Sequence, residues 1–202
     1  MATRATGSDT YVAIAGLLSD LPSAPHPPPG RGDILVVLGD VAGAAVVARS
    51  VLEALRLDSH VLAVAGPNTT VPAGGCRLTG PADAGRWAAR LRSGDTPGVV
   101  VVETDLDTRT TSWACSIVAA VGAASVWAVV DATRKITDCA RWLATLGQVS
   151  ALAVHSTSGT SDPASALSLG LPVAMVDGQP ATPHVWAALL CQRLAESTHA
   201  PC

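Results

Sequence analysis

The sequence predicts an α/β domain in three layers, a doubly wound and mainly parallel sheet with helices above and below it. Three observations carry this. Short apolar runs such as "DILVVL" and "GVVVVET" alternate with stretches of helical periodicity. The runs are apolar at successive positions, so both faces of each strand need cover, which a parallel sheet between helices provides. Glycines stop three of the predicted helices, at Gly94, Gly122 and Gly147. The chain has 202 residues, 49% of them hydrophobic and 14% charged, enough for one sizeable core.

Residues 1–32 form a separate amino-terminal region. "TYVAIAGLLSDL" predicts one short amphipathic helix, capped by Ser8 or Asp9. "PSAPHPPPGRG" follows, an extended proline-rich linker. The folded domain is expected over 33–198. "DILVVL" is the first strand, and "AGAAVVARSVLEALRL" a helix with Arg49, Glu53 and Arg56 on its polar side. "HVLAVAG" is a strand, and "PADAGRWAARLRSG" a helix stopped by Gly94. "GVVVVET" is the most strongly apolar strand, before the helix "TTSWACSIVAAVG", which stops at Gly122. "SVWAVVDA" is a strand, and "ITDCARWLATLG" a helix ending at Gly147. "SALAVHS" is a strand, and "DPASALSLG" a short helix with Asp162 as cap and Pro163 at its first position. "LPVAMVDG" is the last strand. "TPHVWAALLCQRLAES" is the last helix, capped by Thr182. The count is six strands, each followed by a helix.

The formal net charge is -3, with a single lysine, Lys135, so no basic stripe for nucleic acid is present. The five cysteines, Cys76, Cys115, Cys139, Cys191 and Cys202, form no CxxC pair and no zinc spacing. An odd count suits reduced thiols in a cytoplasm. Cys115, Cys139 and Cys191 sit among apolar residues and read as core filler. The start of the chain lacks the apolar segment and cleavage site of a secretion signal, and no stretch is long and apolar enough for a membrane span. Cytoplasmic location without membrane insertion is the expectation. With phenylalanine absent, Trp87, Trp113, Trp127, Trp142 and Trp186 are expected to supply aromatic bulk to the helix–sheet interfaces.

Ligands on such sheets bind at the carboxyl ends of the strands. Those ends carry Gly39 and Asp40, Gly66, Glu103 with Thr104 and Asp105, Asp131 with Arg134 and Lys135, His155 and Ser156, and Asp177 with Gly178. "GDVAGAAVVARS" follows the first strand, where a phosphate-binding loop of the form G-x-x-x-x-G-K-[ST] would lie. Counted from Gly39, the second glycine is Ala44, the lysine Ala45 and the magnesium-binding hydroxyl Val46. Gly43 is one place early, and Asp40 brings negative charge to where phosphates would arrive. Two readings stay open: a phosphate loop without its strong donors, or an ordinary strand–turn–helix joint.

The later segments "VVVVETDLD", "VWAVVDATRKITDCARWL" and "ALAVHSTSGTSDPASALSLGLPVAMVDGQPAT" resemble the G domain of the signal-recognition-particle family of GTPases, and within it the flagellar type. "VVDAT", "DPASALSLGLPV" and "DGQ" keep that family's frame and spacing, over Asp33 to Glu196. The resemblance implies a P-loop NTPase-like fold. It also implies that Glu103 to Asp107 stand where the family has DTAGR, with Leu106 at the γ-phosphate-sensing glycine. His155 to Ser158 stand where the family reads guanine with TKLD, so the guanine-reading carboxylate is absent. A site that has lost such a partner loses discrimination by orders of magnitude.

The function so implied is a non-hydrolysing relative of these GTPases, a protein-binding or scaffold module. Family members pair face to face across their nucleotide sites. The implied partner is therefore a second copy or an active relative of the signal-recognition-particle type. Gly39, Asp40, Gly43, Glu103, Thr104, Asp105, Asp131, Arg134, Lys135, His155 and Asp177 are the candidate ligand- or partner-binding residues. No catalytic residue, metal ligand or cofactor is assigned. The rival reading is a small-molecule or nucleotide-binding enzyme using Glu103, Asp105, Asp131, Arg134, Lys135 and His155, where a carboxylate beside a histidine can do acid–base work.

Overall fold

The computed structural model describes residues 7–28, 30–66, 70–106 and 108–199. Among these described residues, eight strands form one sheet: β1 (Ile34–Gly39), β2 (Leu62–Ala65), β3 (Cys76–Leu78), β4 (Gly98–Glu103), β5 (Ser125–Asp131), β6 (Ala151–His155), β7 (Val173–Val176) and β8 (Gln179–Pro180). Their order is β3-β2-β4-β1-β5-β6-β7-β8. All neighbours pair in parallel except β7 with β8. The α-helices that connect and flank them among the described residues are α1 (Gly7–Ser19), α2 (Val41–Leu55), α3 (Pro81–Ser93), α4 (Thr108–Val121), α5 (Ile136–Thr145) and α6 (Pro183–His199).

The period of two along each strand sorts the core into two clusters. Ile34, Val36, Leu38, Val100, Val102, Ala128 and Val130 face one side, packed under α3, α4 and α5 with Trp87, Ile117 and Trp142. Leu35, Val37, Val99, Val101, Trp127 and Val129 face the other, packed under α2 through Ala44, Val47, Ala48 and Val51. Apolar residues on both faces are what the unbroken runs require. Four of the five tryptophans are buried there: Trp87, Trp127, Trp142 and Trp186. Trp113 is half-buried against the first cluster.

Most of the boundary residues act as the sequence indicates. Thr182 Oγ1 accepts from the Val185 amide at 3.2 Å. Gly94 is the carboxyl cap of α3, and Gly122 and Gly147 take positive φ just past α4 and α5. Arg49, Glu53 and Arg56 are exposed on or just beyond α2. Several details differ. β3 and β8 are additional strands, three and two residues long, too short to leave a periodic signal. Pro163–Leu169 is a 3-10 helix, and the Asp162 side chain makes no capping bond. Pro163 opens the run and Gly170, at φ 72°, closes it, as in the 3-10 turns that serve as connectors between elements. α1 already includes Gly7, so Asp9 lies within its first turn, and the side chain of Ser8 is outside the described residues. Cys139 is buried, but Cys115 and Cys191 are only half-buried; Cys202 lies outside the described residues. α1 runs along α6, where the Tyr11 ring stacks on His184 with centroids 6.0 Å apart and its hydroxyl lies 3.0 Å from Nδ1. Among the described residues, no helix is long and apolar enough to cross a membrane.

Candidate functional site

β1 lies at the centre of the sheet, between β4 and β5, and its carboxyl end opens on the switch point where successive connections run to opposite sides. β1 ends at Gly39 and α2 starts at Val41, so a single residue, Asp40, joins them. Residues 41 to 44, which would curl round a phosphate, are the first turn of a helix instead. Of the two open readings of this segment, the geometry is that of a strand–helix joint.

Asp40 is the amino-terminal cap of α2. Its Oδ1 accepts from the Gly43 amide at 2.9 Å. Its Oδ2 lies 2.9 Å from His155 Nε2, brought from the end of β6, and His155 Nδ1 lies 2.8 Å from Ser156 Oγ. The carboxylate thus occupies the anion position at the helix amino end, the place that would otherwise favour a phosphate. The hydrogen bond from His155 and those from the amides of Gly43 and Ala42 outweigh partial burial and hold the Asp40 carboxyl down to about 2. The bond to Asp40 likewise raises His155 above its usual range. Burial opposes this, and the charges of Asp40, Asp131 and Asp177 add to it. With Nε2–H donating to the carboxylate, a neutral ring leaves Nδ1 to accept from the Ser156 hydroxyl.

Gly43 lets the ring come this close. A Cβ there would stand 2.7 Å from His155 Cδ2 and Nε2 and 2.7 Å from Val129 Cγ1. Gly39 is similarly tight, since its Cβ would meet Val129 Cβ at 2.6 Å. Backbone bonding closes the next seam, with the Thr104 amide donating to Gly39 O at 2.9 Å.

The remaining candidate residues divide. Asp40, Thr104, Asp105, Asp131 and Arg134 border one crevice at the strand ends, together with Leu106, Val129, Cys139 and Trp142. That crevice holds only about 40 Å³, whereas small-molecule sites run to roughly 300–1,000 Å³. Asp131 spends its Oδ1 on a local turn, accepting from the Thr133 amide at 2.9 Å and hydroxyl at 2.7 Å. Arg134 and Lys135 are exposed at the start of α5. Glu103 lies against Gly66 at the end of β2, where any side chain at Gly66 would overlap it. Asp177 belongs to a second cluster, accepting from the Thr157 hydroxyl, while Arg193 Nη2 of α6 donates to Thr157 O at 3.1 Å. Asp107 lies outside the described residues.

Sequence reasoning gathers these residues at one sheet end but does not pair Asp40 with His155, and it overlooks two of the residues around them. Cys139 borders the crevice, its thiol pushed up by burial. Thr157 is almost fully buried, with a hydroxyl bonded to Asp177. An N-cap aspartate immediately before a helical run is a legible signal; nothing local marks its histidine partner. The residues present do not fit a guanine nucleotide with Mg²⁺. The loop is one residue long, a carboxylate fills its anion position, and the crevice is too small.

The architecture is a three-layer α/β domain of the P-loop NTPase-like class. More particularly, it is the fold of the G domains of signal-recognition-particle GTPases. The chain is similar to the cell division protein FtsY of Thermotoga maritima at 15% identity, with a TM-score of 0.65, 92% of this chain and 76% of that chain being covered. It is similar to FlhF, solved with GMPPNP and Mg²⁺, at 14% identity and a TM-score of 0.61, covering 94% and 86% of the two chains. The signal recognition particle 54 kDa protein of Aeropyrum pernix K1, solved with GDP, aligns at 18% identity and a TM-score of 0.65 over 93% of this chain and 53% of that one. No protein-family model matches the chain, and no curated protein matches it by sequence.

Proposed function

We propose that this protein is a non-hydrolysing pseudo-GTPase that acts as a protein-binding or scaffold module. The observation that supports this reading most directly is the Asp40–His155 pair seated at the amino end of α2. The protein's own carboxylate and imidazole take the space and the amide donors that a nucleotide phosphate needs. The absence of a lysine at Ala45 and of a hydroxyl at Val46 supports it from the sequence side. The partner is a second copy of this chain or an active GTPase of the signal-recognition-particle type, docking at the strand carboxyl ends where Arg134 and Lys135 are exposed. Thermal melting with GTP, GDP or ATP and Mg²⁺ tests the reading. A ligand at a hundred times its dissociation constant adds about 2.7 kcal/mol, an obvious shift, and no shift is expected here. Magnesium-dependent stabilisation by any of these nucleotides, or turnover by the pure protein, would overturn it.

A second reading, a small-molecule enzyme, is favoured by the hydrogen-bonded chain Asp40–His155–Ser156. Ser156 has φ 60°, a strained backbone for a non-glycine residue, and its hydroxyl faces a histidine oriented by a carboxylate. An activity-based fluorophosphonate probe discriminates. Labelling at Ser156 that His155→Ala abolishes selects the enzyme; an unlabelled native protein selects the scaffold.

A further inference from the structure

α1 is joined to β1 by a proline-rich segment that the strand-end site leaves unused. From Pro22 to Pro28 it belongs to no helix or strand. Four of those seven residues are proline, and Ala24 and His26 each precede one. Only Ser23 therefore escapes the restriction that proline places on its own backbone and on that of the residue before it. These restrictions favour the extended polyproline II helix, which turns once in three residues. Exposure follows the same period. Pro22, Ser23, Pro25 and His26 are exposed, whereas Ala24 and Pro27 are half-buried, as is Pro28 at the end. Ala24 packs against the core cluster under α2 and holds the segment in place. Leu21 to Pro27 border a hollow of about 630 Å³ beside α2 rather than packing flat on the sheet.

We infer that this ridge is a docking surface for another protein, one whose groove is lined by tryptophan and tyrosine rings. Pro22 and Pro25 lie one turn apart, about 9 Å along the helix, and offer two rigid apolar rings of the kind such grooves grip. Leu21, just before Pro22, is 40% exposed and extends the apolar edge. The seven residues carry seven carbonyls but only three amide N–H groups, and among the described residues none of them makes a hydrogen bond. A groove that reads the segment therefore has to donate, as an indole N–H or a phenol O–H does. The prolines and the packing of Ala24 already fix the segment, so docking loses little conformational entropy. A second copy of this chain does not supply the groove. It has no phenylalanine, four of its tryptophans are buried and Trp113 is half-buried, and Tyr11 is stacked on His184. This surface is separate from the strand ends and does not depend on the pseudo-GTPase reading.

The test titrates the full chain into isotope-labelled SH3, WW and EVH1 domains, which read polyproline II through aromatic grooves. Their amide and indole resonances are followed by NMR. Expected is saturable one-to-one binding to at least one of the three domains, with shifts confined to its aromatic groove. Pro22→Ala and Pro25→Ala each weaken that binding about tenfold, because each removes about two methylene groups from the contact. The double variant abolishes it. Pro27→Ala, on the half-buried ridge, weakens it less than either. All these variants keep a thermal melt close to that of the parent. Failure of all three domains to bind overturns the proposal, as does binding that the double variant leaves undiminished. Shifts outside the aromatic groove, or a larger effect of Pro27→Ala than of Pro25→Ala, overturn it as well.

Discussion

Asp40 is the residue on which the site turns. In the sequence its charge stands against an incoming phosphate; in the fold that same charge caps α2 and holds His155. Gly43→Ala should test how tightly this is built. Alanine is the better helix former by roughly 1 kcal/mol, yet its Cβ would sit 2.7 Å from both the His155 ring and Val129. Overpacking of this kind costs about 1–3 kcal/mol, so net destabilisation by urea unfolding is expected, with partial recovery in a Gly43→Ala, His155→Ala double variant. The pair also sets a pH dependence. His155 is raised from its ordinary 6.5, so its contribution is complete below 6.5 and fades as pH rises through the raised value. Asp40 is lowered from 3.8 to about 2, so its contribution is complete above 3.8 and fades as pH falls through about 2. The stability difference between the protein and Asp40→Asn should therefore be largest between 3.8 and 6.5. Because Asp40 is 39% exposed, solvent screening limits that difference to about 1 kcal/mol. Denaturation midpoints measured across pH check this, and a flat difference would remove the pair from the account.

At the scale of elements, ends matter more than interiors. The interiors of α2 and α4 follow their periodicity, and the short or edge elements do not. α4 shows how an end is secured from outside. Arg92, in the last turn of α3, donates through Nη2 to Val121 O and to Gly122 O, the latter at 2.9 Å. These carbonyls lie at the carboxyl end of α4, where a cation is also favoured by the helix dipole. Arg92→Ala should lower stability by about 1 kcal/mol, and amide exchange at the end of α4 should accelerate while that of α2 stays unchanged. Arg92→Lys, which keeps the charge but not the fork, should recover only part of the loss. β3 and β8 were not legible because strands of two or three residues carry no usable period. Pro163–Leu169 was legible as a helical turn but not as 3-10 geometry, since the two differ only in whether each hydrogen bond spans three residues or four, which a short run's apolar spacing does not distinguish.

Across the whole molecule, the alternation of apolar strand and amphipathic helix was enough to fix the class of fold, the two buried faces and the burial of Trp87, Trp127, Trp142 and Trp186. These depend on period and hydrophobicity, which are properties of neighbouring residues. The strand ends were legible as a list, because a parallel sheet brings all its carboxyl ends to one side. Tertiary structure alone decided which members of that list meet. The order β4-β1-β5-β6 sets the ends of β1 and β6 on either side of β5, and so places His155 on Asp40 across 115 positions of chain. It likewise closed the crevice around Thr104 and Asp131 and left a hollow beside α2. Local sequence records how each segment buries its apolar side. It carries no record of which strand end lies beside which, because that is set by pairing order and by the volumes of side chains that come together only when the sheet forms.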